Sequence, residues 1–278
     1  MKRVLNKIIA LFVIMVIMCL LFVLALNDNI KIREYSEITD KVTESKRIML
    51  ITDLHSTIYG ENQGELMEKI NEEAPDVILL GGDIVDDVRD DRGSRLLLEQ
   101  IGSKYDCYYV SGNHEYWSER INEIKDMIRE YGIRVLEGEG VALNGEIALW
   151  GVDDPDCQYE RYGAIDDWYG QLYKCSGSLN ENMYNILLSH RPERTEDYKS
   201  SNFDVVLSGH AHGGQWRIPF LINGVYAPNQ GFFPKYAGGK YELGNVDMIV
   251  SRGLAKSNIP RIFNQPEIVV INIEPYKG

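Results

Sequence analysis

The sequence predicts an α/β fold, two sheets stacked face to face with helices outside, behind a single apolar helix at the N-terminus. Three observations predict it. From Lys46 onward, short apolar runs alternate with segments of helical period in the order βαβαβα, which implies right-handed crossovers and a largely parallel sheet. Beyond Tyr131 the pattern turns into a hairpin and several short apolar runs broken by Gly and Pro, as in a second, mixed sheet. Polar residues able to bind metal recur directly after the apolar runs, and α/β proteins collect ligands at the carboxyl ends of strands.

Taken in order, Ile8 to Leu26 carries no charge and is about long enough to cross a bilayer core. Lys2, Arg3 and Lys7 precede it, so the positive-inside rule puts the N-terminus in the cytoplasm and the rest of the chain outside. A cleaved signal would have a shorter apolar region and a small-x-small site, which Leu24-Ala25-Leu26-Asn27 matches poorly. The expected organisation is a transmembrane anchor over residues 1–26, a polar linker over 27–45 and one globular domain over 46–278. The expected location is a single-pass protein of the cell membrane with its domain extracytoplasmic.

Within the domain, strands are expected at Ile48–Ile51, Val77–Leu80 and Cys107–Val110. A helix over Gly64 to Glu73 carries Leu66, Met67 and Ile70 on one side and stops at Pro75. A second covers about Ser94 to Ile101. Ser118 caps a third, with Ile121, Ile124, Ile128 and Tyr131 on one face and Gly132 as its stop. Asn144-Gly145 between Val141–Leu143 and Ile147–Leu149 is a two-residue hairpin signal. Gly151 to Ser178 is irregular. Strands then follow at Ile186–Leu188 and Val205–Leu207, and the runs Trp216–Pro219, Gly224–Ala227, Val246–Val250 and Ile268–Ile273 read as strands of the second sheet.

The chain has 278 residues, 44% of them hydrophobic, and a formal charge of −13. That suits one sizeable domain and argues against nucleic acid as a partner, which would need Lys/Arg stripes. Of four cysteines, Cys19 lies in the span and Cys107 in a strand; Cys157 and Cys175 are read equally as two thiols or as a disulfide.

The chemistry is concentrated in the histidines. There are only five, His55, His114, His190, His210 and His212, and each follows an apolar run. Asp53, Asp83 and Asn113 occupy equivalent places. In Ser208-Gly209-His210-Ala211-His212-Gly213-Gly214, an extended backbone would point both imidazoles the same way. Two carboxylates, an amide and five imidazoles are too many ligands for one tetrahedral zinc and suit two divalent metal ions sharing a carboxylate. Nitrogen and oxygen donors without thiolate fit Mn, Fe, Zn or similar ions. Two such ions clamp the oxygens of a phosphoryl group and lower the pKa of a bound water to near neutrality.

Asp53-x-His55, Gly82-Asp83-x-x-Asp86, Gly112-Asn113-His114-Glu115, His190 and Gly209-His210-Ala211-His212 resemble, in order, the motif series of the calcineurin-like metallophosphoesterase superfamily. The apolar span and Gly213-Gly214-Gln215 resemble its bacterial membrane-anchored phosphodiesterase branch. The resemblance implies a four-layer αββα sandwich of two mixed sheets with flanking helices and a dinuclear centre. It implies that Asp53, His55 and His212 hold one metal, that Asn113, His190 and His210 hold the other, and that Asp83 bridges them. His114 would stay off the metals as the catalytic residue, protonating the leaving oxygen or stabilising phosphoryl charge; imidazole suits that task. The expected reaction is phosphodiester hydrolysis by metal-activated hydroxide, and a membrane anchor admits a phospholipid or lipid-linked phosphate as substrate. A phosphomonoesterase or nucleotide hydrolase with the same centre, and a non-catalytic metal-binding module, are the alternatives.

Other residues carry weaker signals. Asp86 either orients a ligand histidine or starts a helix, and Glu115 reads as a helix-start acid. Arg191 and Arg252 either meet a substrate phosphate or form surface pairs. Tyr159, Tyr162, Trp168, Tyr169 and Tyr173 read more readily as packing than as a substrate rim. Phe232-Phe233-Pro234 faces either the membrane or a sheet edge. Ile84 and Val85 stand where a purple acid phosphatase carries a tyrosine ligand, which disfavours that branch.

Overall fold

The computed structural model describes residues 2–159, 167–256 and 259–277. In chain order it contains α1 (Lys2–Ala25), β1 (Lys31–Thr39), β2 (Lys46–Ile51), α2 (Gly64–Glu73), β3 (Val77–Gly81), α3 (Arg92–Gly102), β4 (Asp106–Val110), α4 (Asn113–Trp117), α5 (Ile121–Glu130) and β5 (Arg134–Val135). The second half contains β6 (Glu139–Ala142), β7 (Ile147–Gly151), α6 (Trp168–Ser176), β8 (Tyr184–Leu188), α7 (Thr195–Lys199), β9 (Val205–Ser208), β10 (Tyr226–Ala227), β11 (Gly231–Phe232), β12 (Gly239–Glu242), β13 (Asp247–Val250) and β14 (Glu267–Pro275).

Two sheets of six strands result, in the orders β1-β14-β2-β3-β4-β5 and β12-β13-β9-β8-β7-β6. Side-chain alternation assigns each residue to a layer. Ile48, Leu50, Val77 and Leu79 of the first sheet meet Leu149, Ile186, Leu188, Val205, Leu207 and Ile249 of the second, forming the centre of the sandwich. Met49, Ile51, Ile78 and Leu80 point the other way, onto Leu66 and Ile70 of α2, Leu97 and Ile101 of α3, and Ile124 and Ile128 of α5. Leu187, Val206, Met248 and Val250 carry Trp168 and Leu172 of α6 and Tyr198 of α7 on the far side of the second sheet. Strands buried on both faces therefore read as unbroken apolar runs, and the four layers are αββα.

The carboxyl ends of β2, β3 and β4, which are mutually parallel, and those of the parallel pair β8 and β9 carry the loops that hold the histidines.

Several expectations are corrected. Lys31–Thr39, expected within a linker, is an edge strand paired in parallel with β14. β14, expected in the second sheet, lies in the first, antiparallel to β2. Trp216–Pro219 supplies only isolated bridges, Trp216 to Ile262 and Ile218 to Ile222, and β10 pairs with β11 apart from both sheets. The β6–β7 turn is longer than two residues: Leu143 N–H donates to Ile147 O and Asn144 Oδ1 accepts from Glu146 and Ile147 N–H. A short helix, α4, begins at Asn113; Ser118 ends it, and its Oγ accepts from Arg120 N–H ahead of α5. Cys175 is a free, buried thiol, so the disulfide left open by the sequence is not formed.

Candidate metal centre

Asp53, His55, Asp83, His210 and His212 all leave their strands through left-handed backbone, with φ of 51°, 47°, 52°, 65° and 47°. Such conformations cost a non-glycine residue on the order of 1–3 kcal/mol each and persist where their surroundings over-determine them. Here the loops brace one another. Asp53 N–H donates to Gly82 O at 2.9 Å, His55 N–H to Asp83 O at 2.9 Å, His210 N–H to Asp53 Oδ1 at 2.9 Å and His114 N–H to Asp83 Oδ1 at 2.8 Å. Glycine permits two close approaches: a Cβ at Gly112 would lie 2.3 Å from Asp83 Oδ1, and one at Gly209 2.5 Å from Asp53 Oδ2.

The turn after β9 is not extended, so His210 and His212 do not point the same way. The donor atoms of Asp83, His190 and His210 lie within 4.8 Å of one another, and those of Asp53, His55, Asp83 and His212 form a second such group. Asp83 belongs to both. A third group, His55, Asp86 and His114, adjoins them.

The ring nitrogens not facing these groups are occupied. His190 Nδ1 lies 2.8 Å from Gly81 O, His55 Nδ1 3.0 Å from Asp86 Oδ2, and His210 Nε2 2.9 Å from Asn229 Oδ1. Each partner is an acceptor, so each ring donates there and keeps its other lone pair free. Among the described residues, His55 Nε2, His190 Nε2, Asp83 Oδ2 and Asn113 Oδ1 are buried without a hydrogen-bond partner. Asp83 Oδ2 lies 3.1 Å from His190 Nε2 and 3.6 Å from His55 Nε2. Buried lone pairs converging without donors are costly unless a cation joins them, and oxygen and imidazole donors are the right set for divalent ions. The residues fit a dimetal site.

The electrostatics agree. Burial opposes charge on Asp83, yet the neighbouring His190 holds its carboxyl well below the usual range. Burial likewise opposes charge on His190, and the Asp83 carboxylate outweighs it, carrying the ring up to about 10. Burial draws His212 down to about 3. The excess negative charge that lifts His190 is the charge that would attract a cation.

His114 borders this cluster. Its ring stands edge-on to His55 with centroids 4.3 Å apart, and its Nδ1 is 2.6 Å from Asp87 Oδ1. Beyond it opens a cavity of about 230 Å³, lined by His55, His114, His212, Arg89, Lys256 and Arg261. A larger cleft, about 610 Å³, lies at the opposite ends of β3 and β4, around Asp76 and Asp106; it contains no histidine and has no part in this chemistry.

The remaining candidates divide. Asp86 takes the first reading, not the second: Oδ2 meets His55, while Oδ1 accepts from Val88 and Arg89 N–H in a bend, and the next helix begins only at Arg92. Glu115 is more than a helix-start acid. It is fully buried and accepts from Asp83, Ile84, Val85 and Gly112 N–H, clamping the Asp83 loop. Burial, and then the Asp83 charge, push its carboxyl up to about 7. Neither arginine is a surface pair. Arg191 is buried in a two-pronged pair with Asp154 and also reaches Asn229. Arg252 is buried on Glu267, among neighbours that include none of the histidines. Trp168 is fully buried packing and Tyr162 lies outside the described residues; Tyr169 and Tyr173 line a separate hollow beside α7. Asp87, Asn229 and Arg261 were not marked by any motif; only the doubled Asp86-Asp87 hinted at one of them.

Comparison with known proteins follows the same lines. The family described as calcineurin-like phosphoesterase matches residues 46–214. An uncharacterised metallophosphoesterase of Campylobacter jejuni is 30% identical over 262 residues, 91% of this chain and 66% of the relative. One from Aquifex aeolicus is 29% identical, over 88% of this chain and 92% of the relative. The phosphodiesterase YaeI of Escherichia coli is 27% identical over 82% of each chain. This chain thus spans about two thirds of the Campylobacter relative and nearly all of the Aquifex one. A dimetal phosphatase from Danio rerio superposes with a TM-score of 0.50 at 12% identity, over 75% of this chain and 88% of that one, which shows the fold.

Proposed function

The chain belongs to the calcineurin-like phosphoesterase family, and from that premise we propose that it hydrolyses phosphodiesters at a membrane surface, a phospholipid or lipid-linked phosphate among them. The observation that carries the hydrolase reading is the sharing of Asp83 between two groups of metal-competent donors. Two divalent cations, when bound, would supply Lewis-acid charge to the phosphoryl oxygens and acidify a water towards neutrality.

The chain's own residues divide the remaining work. Asp53, His55 and His212 would hold one ion and Asn113, His190 and His210 the other, with Asp83 available to both. Asp86, Gly81 O and Asn229 fix the ring tautomers that leave the ligating lone pairs free. His114, oriented by Asp87 on Nδ1 and lining the mouth, would deliver a proton to the departing oxygen from its other ring nitrogen. Arg261 lines that mouth, its guanidinium fixed by Ala255 O and Arg252 O with Nη2 buried, and turns positive charge towards a bound phosphate.

The membrane reading rests on α1. Its 24 residues extend about 36 Å, and the apolar stretch Arg3–Ala25 is entirely unburied, unlike a core helix. Lys2, Arg3 and Lys7 at its amino end favour a domain outside the cytoplasm.

The deciding experiment stirs the metal-stripped 278-residue chain, reloaded in turn with Mn, Fe, Zn and Mg, with bis(p-nitrophenyl) phosphate, p-nitrophenyl phosphate and vesicle phospholipid. Diester turnover that vanishes on chelation and returns with one of the metals is expected. Metal uptake without any ester hydrolysis would sink the enzyme reading, and monoester turnover alone would make it a phosphomonoesterase.

A further inference from the structure

We infer that the segment from Trp216 to Phe233 is a membrane-docking platform that sets the mouth of the metal centre against the lipid headgroups. The inference rests on the anchor reading above. Trp216, Ile218, Phe220, Leu221, Phe232 and Phe233 are all exposed, Leu221 by 83% and Phe232 by 74%. Exposed side chains of this size in one connected segment mark an interaction surface.

The segment is one unit. Ile218 bridges Ile222 across a tight turn that puts Phe220 and Leu221 at its tip. Val225 N–H donates to Trp216 O at 2.9 Å, Phe233 N–H donates to Val225 O at 2.8 Å, and Tyr226 pairs with Phe232.

What covers it is decided by what it adjoins. Trp216 Nε1–H donates to Pro260 O at 2.9 Å, and Arg217 N–H to Ile262 O at 3.0 Å. The next residue, Phe263, donates its N–H to Ala25 O at 2.8 Å, at the carboxyl end of α1. The exposed apolar turns thus share a short, hydrogen-bonded segment with the point where the apolar helix ends. Any bilayer that receives α1 meets them at its surface, where aromatic side chains are favoured.

The active-site mouth opens to the same place. A second cavity, about 280 Å³, lies between Leu26, Pro260 and Pro266. It shares Ala255, Lys256 and Arg261 with the mouth of the metal centre, so the two form one path from His212 to the helix end. Gln215, the residue just before the platform, lines that mouth and donates to Ile259 O at 2.8 Å. On a chain of net charge −13, Lys256, Arg261 and Arg89 outnumber Asp28 and Asp86 along this path, with Lys256 pairing Asp28 at 2.9 Å, and the balance of one positive charge suits a phosphate headgroup whose tail stays in the membrane.

The test uses the full chain in vesicles of phosphatidylethanolamine and phosphatidylglycerol with brominated acyl chains. Tryptophan emission should be quenched, and Trp216→Phe should remove most of the quenched component. Phe220→Ser with Leu221→Ser should lower turnover of a vesicle-borne phosphodiester lipid roughly tenfold or more, leaving soluble bis(p-nitrophenyl) phosphate unaffected. That soluble rate also shows the variant is folded. Equal quenching in wild type and Trp216→Phe, or two rates that change together, overturns the inference. So does a disulfide-linked dimer of Phe220→Cys without quenching, which would put a second copy on the patch. Protein that leaves the vesicles altogether overturns the anchor reading and this inference with it, whereas retention without quenching overturns this inference alone.

Discussion

Asp83 and His114 differ in kind although their atoms touch. Asp83→Asn keeps the shape but removes the shared negative charge, so metal content after gel filtration should fall from two ions towards none. His114→Ala removes a group bonded to Asp87 and lining the mouth, so metal should stay while kcat drops roughly 10²–10³-fold. Equal metal loss in both variants would place His114 among the ligands. Glu115→Gln makes a third case. Its amide cannot accept all four N–H groups that the carboxylate holds, so stability should fall by about 3 kcal/mol, read as a lower melting temperature together with poorer metal retention. At this scale the sequence was legible where a glycine beside the residue completed a signature, as with Asp83, Asn113 and His210. It showed Glu115 only as a helix-start acid and was silent on Asp87, Asn229 and Arg261. Each acts through a partner fixed only by folding: Glu115 lies 32 positions from Asp83, and Asn229 lies 19 from His210.

Elements were legible in proportion to how fully they are buried. β2, β3, β8 and β9 are apolar on both faces and read directly, as did α2 and α5 with their one-sided stripes. β12, with half its residues exposed, and the short α4 left no such signal. Lys125 shows what one-sided patterning hides. It sits on the buried face of α5 and joins Asp153 and Glu137 at 2.8 Å each, tying the first sheet's helical layer to the end of β7. Burial opposes its charge, but Asp153 and Glu137 outweigh this and raise its pKa above 10.5. The sign follows from linkage. A raised amine contributes stability in full below 10.5 and loses it as pH climbs through the folded value. Melting temperature should therefore fall as pH rises past about 10.5, beyond the drop in the rest of the protein. Lys125→Met should remove that extra alkaline slope. At neutral pH the same variant should cost about 3–5 kcal/mol, because Asp153 is left buried and unpaired with any cation. An unchanged slope on titrating the melting curve of the variant would show that another group carries it.

For the whole molecule, the order β1-β14-β2 decides how the two ends of the chain depend on each other. β14 is the last strand, yet it lies inside the first sheet, and β1 covers its outer edge over nine register positions. Lys31-Ile32-Arg33-Glu34-Tyr35-Ser36-Glu37-Ile38-Thr39 is rich in charge and lacks clean alternation, which is why it reads as a linker. Charge on an edge strand also discourages unwanted pairing with other chains. Only residues 26–30 separate it from α1, so the helix is tied to the sheet rather than hung from a flexible tether. A soluble fragment cut at Lys46 would lose β1 and leave β14, largely buried, as a bare edge. Fragments 27–278 and 46–278 should therefore differ. With about nine ladder positions lost at a net contribution near 0.5–1 kcal/mol for each, the shorter should be about 5 kcal/mol or more less stable, melt roughly 10 °C or more lower and aggregate at lower protein concentration. Diester turnover per folded molecule should be alike in both, since β1 contributes nothing to the metal centre. Equal melting temperatures and equal solubility would mean that residues 31–39 are the linker their composition suggests and that β14 closes the sheet unaided.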